Sequence, residues 1–385
     1  ARRQPGSSIK PLATYGPAMD AGIATPDTTV YDRALIQDEE GNPWPMNDGK
    51  YPTGRAMTVK EGMTRSLNTI SAQLLKQLTP QKSYEFMTQQ LGFKLVDSRI
   101  NEDGTVQSDI DLAPLALGAL TDGVTVREMA GGFSTFINDG VYGGTRTYTK
   151  VTDSEGNTIM ENTPNTDKGF TNVRTDYYML DCLQNVTAHG TAYGIQLDGV
   201  ETGGKTGTTT SNTDIWFCGI TPKYSGAVWV GYEHNYRLDG LYGRNAAEIW
   251  LAVMQKVHAG DSGLVFDSHP QDFEEVTYCM DTGLLASGAC RAAGRAATGR
   301  FWKDKVPTET CSHQNIENKY DFESMGVDNY YYDDEEDDSD SDSSSSDTDT
   351  GNEDSGDGGS YDSGDSGDSG GDSGDSGDSS EDPEA

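Results

Sequence analysis

The chain opens with the sequence ARRQPGSSIKP, in which Ser7 and Lys10 are spaced as Ser-x-x-Lys. If Ser7 lies at the N-terminus of a helix, the side chain of Lys10 lies on the same face one turn later. Pro11 fits this placement, because the first N–H groups of a helix have no intrahelical partner. A neutral Lys10 amine could accept the Ser7 proton if burial or a nearby cation lowers its pKa. On its own the motif is weak, since a helix cap followed by a solvated lysine gives the same spacing.

A second pair of polar residues, Ser66 and Asn68, lies between two predicted helices. A serine in such a loop could relay a proton between Lys10 and a leaving amine, and the asparagine amide could hold a substrate peptide group. The simpler interpretation of this pair is an N-cap for the following helix. The pair gains weight only in combination with the other motifs.

The third motif is Lys-Thr-Gly-Thr, which begins at Lys205 and opens a predicted strand. Gly207 would allow a ligand backbone to approach closely. Thr206 and Thr208 alternate onto one face of the strand, where their hydroxyls could bind a carboxylate. Lys205 would add positive charge for that carboxylate and lower the pKa of Lys10. In isolation, Lys-Thr-Gly is also typical of a turn.

The apolar periodicity predicts the elements that carry these motifs. Thr-x-x-Glu capping patterns begin predicted helices at Thr58 and Thr125. Further helices are predicted from about residue 7, over 69–78, over 173–189 and over 246–260. Short runs rich in threonine and aromatic residues predict sequential strands over 205–210, 214–221 and 225–233. Helices placed between a first helix and a strand meander indicate an α+β domain rather than a βαβ alternation.

In this order, Ser-x-x-Lys, Ser-x-Asn and Lys-Thr-Gly are typical of penicillin-binding proteins and β-lactamases. The middle motif reads Ser-Leu-Asn here, so it departs from the usual Ser-Asp-Asn at its central residue. Four segments resemble the transpeptidase domain of class A (bifunctional) penicillin-binding proteins over about 1–260: RRQPGSSIKP, TVKEGMTRSLNT, LALGALTDGVTVREMAGGFSTFINDGVY and GGKTGTTTSNTDIWFCGITPKYSGAVWVGYE. The resemblance implies the α+β fold of the serine β-lactamases and penicillin-binding transpeptidases, an antiparallel sheet with helices.

The resemblance also implies a role for each motif residue. Ser7 would be the acylated nucleophile, and the backbone N–H groups of Ser7 and Thr208 would form the oxyanion hole. No metal or cofactor is expected. The implied catalytic residues are Ser7 (nucleophile), Lys10 (base), Ser66 (proton relay) and Lys205, and the implied substrate-binding residues are Asn68, Thr206, Gly207 and Thr208.

The implied reaction is D,D-transpeptidation, which cross-links a D-Ala-D-Ala donor stem peptide of peptidoglycan to an amine on a neighbouring stem. β-Lactams would mimic the donor and block Ser7. In the family, a membrane anchor, a glycosyltransferase domain and the first strands of the sheet precede the Ser-x-x-Lys segment. The sequence is therefore expected to be a C-terminal fragment. The intact protein would act on the extracellular face of the bacterial cytoplasmic membrane.

Other functions remain open at this stage. A D,D-carboxypeptidase differs only in using water as the acceptor, and a β-lactamase would need a further base. The Glu-x-x-Leu-Asn loop that often supplies this base in β-lactamases has no match. Residues 199–206 formally fit the P-loop pattern, but the flanking residues do not predict a buried strand before it and a helix after it.

The rest of the chain offers less specific signals. The net charge is −35, and −13 without the 22 acidic residues between Asp333 and Glu384, so a nucleic-acid partner is not expected. We divide the chain into a transpeptidase domain (1–262), a Cys-containing extension (263–322) and a disordered acidic tail (323–385). Cysteines 182 and 218 are predicted to be buried thiols, and cysteines 279 and 290 could pair, with 311 as competitor. The absence of CxxC spacing argues against a zinc site, and the five scattered histidines are interpreted as structural or exposed.

Overall fold

A three-stranded antiparallel sheet lies beside the predicted motifs. Its strands are β9 (Gly203–Thr208), β10 (Asp214–Ile220) and β11 (Ser225–Gly231), which confirms the predicted meander within two residues. Their order in the sheet is β11-β10-β9. The central strand is buried along its whole length. Its alternation directs Phe217 to Trp250, with ring centroids 5.4 Å apart. The adjacent residue, Trp216, donates its indole N–H to the carbonyl of Gln4 at 2.8 Å. The opposite face of the sheet therefore covers the N-terminal segment.

In the computed structural model, the described residues are 1–37, 41–172, 174–267 and 270–313. The predicted disordered tail lies outside them. The described helices are α1 (Gly16–Asp20), α2 (Val59–Thr64), α3 (Asn68–Leu78), α4 (Pro80–Glu85), α5 (Val126–Phe133), α6 (Thr175–His189), α7 (Gly243–Val257) and α8 (Gly288–Ala292). The remaining described strands are β1 (Thr29–Tyr31), β2 (Ile36–Gln37), β3 (Pro43–Trp44), β4 (Ala56–Thr58), β5 (Arg99–Ile100), β6 (Val106–Gln107), β7 (Lys150–Thr152), β8 (Thr158–Glu161), β12 (Phe273–Cys279) and β13 (Ala296–Trp302).

The predicted caps are confirmed. The Thr58 hydroxyl accepts the N–H of Glu61 at 3.0 Å, and Thr125 with Glu128 forms a complete capping box at the start of α5. The helices predicted over 69–78, 173–189 and 246–260 are found as α3, α6 and α7, the last beginning three residues earlier than expected. None of the described helices has the length and apolar character needed to cross a bilayer.

The prediction of one α-helix from residue 7 is wrong. A 3-10 turn (Gly6–Ile9) is followed by a π-helical turn (Pro11–Tyr15), and only then by α1. The cause is Pro11, which has no N–H to offer to the carbonyl of Ser7 in an i→i−4 bond. That carbonyl instead accepts the N–H of Lys10, three residues on. The tighter turn places the residues at i and i+3 one above the other.

Residues 270–313, here called the C-terminal lobe, contain the antiparallel hairpin β12-β13 and helix α8. The lobe has a small apolar cluster of its own, separate from the main core. It is tied to the rest of the chain by the Thr29 hydroxyl, which donates to the carbonyl of Met280 at 2.7 Å, and by Arg295, which donates to the carbonyl of Ala56 at 2.8 Å. All five cysteines are free and buried. This confirms the two predicted buried thiols, whereas the possible pairing of cysteines 279 and 290 is not formed.

Candidate active site

The turn that carries Ser7 lies directly against strand β9. Gly6 adopts a φ of 51°, and a β-carbon built on it would lie 2.6 Å from the carbonyl oxygen of Thr208. A β-carbon on Gly207 would collide with the carbonyl oxygen of Pro5. The two backbones therefore touch because both contact positions are glycine. The sequence predicted that Gly207 makes room for a ligand, but here it makes room for the Ser7 turn.

Ser66 follows helix α2 in a left-handed conformation, with a φ of 59°. Its N–H donates to the carbonyl of Met63 at 3.0 Å, and the N–H of Leu67 donates to the carbonyl of Gly62 at 2.8 Å. These bonds form a Schellman-type helix end, in which glycine usually occupies the left-handed position. A serine there costs about 1–2 kcal/mol. The strained backbone keeps a hydroxyl-bearing side chain at a position that glycine usually occupies.

Two buried lysines converge on Ser66. Lys205 Nζ donates to the hydroxyl of Ser66 at 2.7 Å, and also to the carbonyl of Thr206 at 3.1 Å. Lys10 Nζ donates to the carbonyl of Ser66 at 2.8 Å and to Oδ1 of Asn68 at 2.7 Å. The fold therefore brings four of the predicted site residues, one or more from each motif, into one hydrogen-bonded group.

Both lysine amines are shifted toward the neutral form. Burial is the main cause that holds the pKa of Lys10 well below its usual value, the charge of Lys205 lowers it further, and Asp48 opposes the shift. Burial also lowers the pKa of Lys205 to about 7. Removing a charged amine from water disfavours its protonated form, so burial makes the neutral form of both lysines easier to reach, and Lys205 can exchange a proton near neutral pH.

Ser7 lies at the edge of this group. Its side chain is half-buried, and its carbonyl accepts the N–H of Lys10. Among the described residues, the hydrogen bonds of Lys10 Nζ go to Ser66 and Asn68 rather than to the Ser7 hydroxyl. Such bonds often form only when a ligand is bound, so this arrangement is compatible with a base that tightens onto Ser7 later.

A buried polar network positions Asn68, and no motif in the sequence predicts this network. The Nδ2 of Asn68 donates to the carbonyl of Met46 at 2.8 Å, and its N–H donates to Oδ1 of Asn47 at 2.8 Å. Asn47 in turn donates to Asp32 at 2.7 Å, and Asp32 also accepts the hydroxyl of Thr69 at 2.6 Å. The partners come from loops 20 to 40 residues upstream of α3. No local motif could have identified them.

The threonines of the third motif face the start of helix α7. The hydroxyls of Thr206 and Thr191 lie 2.7 Å apart, and the Thr208 hydroxyl accepts the N–H of Gly243 at 3.3 Å. Thr191, at the end of α6, was also missed from the sequence. Because Lys205 and Thr206 lie within β9 and a second strand follows, the P-loop interpretation of residues 199–206 is wrong.

Two family models match the chain. The penicillin-binding protein transpeptidase domain matches residues 1–255, and the C-terminal domain of penicillin-binding protein 1A matches residues 269–315. Among curated proteins, penicillin-binding protein 1A of Clostridium acetobutylicum is 35% identical over 261 residues, which cover 66% of this chain and 30% of that protein. Penicillin-binding protein 4 of Bacillus subtilis is 32% identical over 259 residues, covering 67% and 39%. The chain thus spans about a third of the length of these relatives.

Solved structures show the same fold. Penicillin-binding protein 1A from Haemophilus influenzae superposes with a TM-score of 0.63 at 23% identity, covering 80% of this chain and 49% of that one. The penicillin-binding protein PonA1 from Mycobacterium tuberculosis gives a TM-score of 0.56 at 24% identity, covering 69% and 71%. These likenesses confirm the predicted α+β fold class.

Proposed function

Because this chain belongs to the penicillin-binding protein transpeptidase family, we propose that it is a serine D,D-transpeptidase that cross-links peptidoglycan stem peptides. The observation that carries the proposal is the convergence of two buried lysine amines on Ser66, beside the turn that holds Ser7. A general base needs a pKa near the working pH, and burial lowers the pKa of both amines.

In the acylation step, the Ser7 oxygen bonds to the carbonyl carbon of the penultimate D-alanine while its proton passes to Lys10. The bond from that carbon to the terminal D-alanine nitrogen then breaks. The leaving amine takes a proton through the Ser66 hydroxyl, which accepts a hydrogen bond from Lys205, while Lys10 donates to the Ser66 carbonyl. In the second step, an acceptor amine attacks the ester carbonyl, loses a proton and releases Ser7 with its hydroxyl restored.

The terminal carboxylate of the donor would be bound at strand β9. The hydroxyls of Thr206 and Thr208 and the amine of Lys205 offer donors there, and Gly207 keeps the strand against the Ser7 turn. Asn68, fixed by the network around Asn47, would hold a peptide group of the donor. The backbone N–H groups of Ser7 and Thr208 would bind the oxyanion.

The same proposal extends to the whole protein. The domain would act on the extracellular face of the bacterial cytoplasmic membrane, in a protein that also carries a peptidoglycan glycosyltransferase. β-Lactams would acylate Ser7 and block it. The acidic tail, residues 323–385, is proposed as a solvated spacer that takes no part in the chemistry.

The test is intact-mass analysis after incubation with benzylpenicillin, followed by peptide mapping. One drug mass should be added, on the peptide that contains Ser7, and Ser7→Ala should remove it. Ser8→Ala is the matched control, since the neighbouring hydroxyl donates to the carbonyl of Pro5 at 2.8 Å rather than to a residue of the lysine cluster. Labelling that survives Ser7→Ala would overturn the assignment of the nucleophile.

A second measurement separates the proposed reaction from its closest relatives. A donor peptide ending in D-Ala-D-Ala is incubated with and without a D-amino acid as acceptor. A transpeptidase forms the new amide at the expense of hydrolysis, whereas a D,D-carboxypeptidase forms only the shortened peptide. Rapid hydrolysis of the penicilloyl adduct would instead indicate a β-lactamase.

A further inference from the structure

The C-terminal lobe brings four side chains of one chemical kind together. Cys279 ends strand β12, Cys290 lies in helix α8, and Cys311 and His313 follow β13. Their ligand-type atoms, three sulfurs and one imidazole nitrogen, all lie within 4.8 Å of one another. The three thiols are buried and the histidine is half-buried.

The spacing of these atoms fits a tetrahedral metal ion. With Zn–S distances of about 2.3 Å and Zn–N distances of about 2.0 Å, neighbouring ligand atoms of a tetrahedral site are about 3.5–3.8 Å apart. Cys279 Sγ lies 3.7 Å from Nδ1 of His313. Three sulfurs and one imidazole make up the Cys₃His set that binds zinc in structural sites.

The backbone around the cluster holds each ligand in place. The N–H of Cys279 donates to the carbonyl of Leu284 at 2.7 Å, and the N–H of Cys311 donates to the carbonyl of Leu285 at 2.9 Å, so adjacent residues of one segment fix two ligands. Ser287 caps α8 by accepting the N–H of Cys290 at 3.4 Å.

The last ligand is positioned by a backbone turn. His313 has a φ of 49°, which folds its ring back toward Cys279. Its N–H donates to the sulfur of Cys311 at 3.2 Å. Donation of this kind stabilises a thiolate, the form in which cysteine binds a metal.

We propose that Cys279, Cys290, Cys311 and His313 form a structural zinc site that stabilises the C-terminal lobe. Four protein ligands close the tetrahedron, so the ion would have no open position for catalysis. The lobe is a short segment whose separate apolar cluster is small, and domains of this size often depend on a metal or on disulfides. No CxxC motif marks the site, because three separate segments of the lobe supply the ligands.

The site would also stiffen the contact between the lobe and the transpeptidase part of the chain. Asp281, two residues after Cys279, pairs with Arg295 at 2.9 Å, and Arg295 donates to the carbonyl of Ala56 at 2.8 Å. Ala56 begins strand β4, which leads into α2 and the turn at Ser66. Loss of zinc should therefore lower the melting temperature, whereas the rate of penicillin acylation should change little.

The experiment uses the full chain, purified under reducing conditions without chelators and exposed to Zn²⁺ before gel filtration. Elemental mass spectrometry should find about one zinc per chain. Cys311→Ser and His313→Ala should each lower this content several-fold, and a strong chelator should lower the melting temperature. Cys182→Ala and His189→Ala are matched controls, because both residues lie on helix α6, away from the cluster, and both variants should keep their zinc.

His313 is half-buried and ends the described part of the lobe, so His313→Ala keeps the test informative if a cysteine variant fails to fold. Cobalt titration of the same proteins should give thiolate-to-metal charge-transfer absorption in the wild type that weakens in both ligand variants. Negligible zinc in folded wild-type protein, or unchanged zinc content in both ligand variants, would overturn the proposal. A disulfide between two of the three cysteines would also overturn it, if the protein still fails to bind Zn²⁺ after that disulfide has been reduced.

Discussion

In the active site, two buried lysine amines donate to Ser66, Lys205 to its hydroxyl and Lys10 to its carbonyl. Every described partner of those amines is an oxygen atom. In the C-terminal lobe, three buried thiols and an imidazole form one cluster, and the contacts between them are weak ones that involve sulfur. In the first arrangement, burial favours the neutral lysine amines, which avoids the free energy of burying two charges. In the second, bound Zn²⁺ would compensate the negative charge of the buried thiolates. Clusters of buried titratable residues can thus serve proton transfer in one region and structural stability in another.

The largest expected effect tests whether the lysine cluster is chemical rather than structural. Lys10→Arg should reduce the second-order rate of penicillin acylation by about 10²–10⁴-fold, because arginine stays protonated at working pH and cannot act as a base. Stopped-flow or mass-based acylation kinetics provide the measurement. Lys76→Arg, on the surface of α3, is the control and should react at the wild-type rate. A near wild-type rate for Lys10→Arg would show that the lysine is only an architectural charge, like the ligands of the lobe.

The same contrast explains what the sequence could and could not predict. Strands β9, β10 and β11 follow from short runs rich in threonine and aromatic residues, helix α6 follows from a helical apolar stripe, and the motif residues follow from short spacings. The segment after Ser7 departs from a regular helix because the missing N–H of Pro11 changes the hydrogen-bond pattern, an effect that residue spacing alone does not show.

The remaining features depend on contacts between distant segments. Asp32 and Asn47 support Asn68 from loops with no recognisable motif, and the cluster of Cys279 and His313 is assembled by turns 34 residues apart. Hydrophobic periodicity carries no information on such pairs. The short motifs were therefore visible in the sequence, whereas the groups that position them were not.

The next effect concerns the pH dependence of the lysine cluster. Burial lowers the pKa of Lys205 to about 7, and only its protonated form carries the charge that attracts a carboxylate. The second-order rate of penicillin acylation should therefore decline by up to about tenfold per pH unit above 7. Lys205→Arg should remove this alkaline decline, since its side chain stays charged. The acidic limb, where Lys10 becomes protonated, should remain in that variant. An unchanged alkaline limb in Lys205→Arg would assign the titration to another group.

A smaller effect is expected where the two regions meet. Asp27 lies under Gly299 of β13, and both of its carboxylate oxygens are buried. Lys60 Nζ is 3.9 Å away. Burial raises the pKa of Asp27 to about 6, against the opposing charge of Lys60.

The direction of the pH effect follows from this shift. The neutral carboxyl is favoured in the folded state, so its contribution is full below about pH 4 and is lost as pH rises through about 6. Asp27→Asn should therefore raise the free energy of unfolding by about 1–3 kcal/mol at pH 8 and by much less at pH 4.5. Urea melts at both pH values measure this, with the exposed Asp97→Asn as control. Equal effects at the two pH values would mean that the charge of Asp27 is satisfied in the fold.

The smallest effect should come from a hydroxyl that acts only through another residue. Thr191 lies 2.7 Å from the Thr206 hydroxyl and orients it toward the place where the donor carboxylate would bind. Removing one such hydrogen bond costs about 1 kcal/mol, so Thr191→Val should weaken the apparent affinity for a D-Ala-D-Ala donor several-fold and leave the maximal rate nearly unchanged. Thr187→Val is the matched control, because its hydroxyl lies nearby in the last turns of helix α6 but donates to the carbonyls of Gln184 and Thr202. That control should lower stability without changing donor affinity. If both variants change donor affinity equally, the Thr191 hydroxyl acts through the stability of this region rather than by orienting Thr206.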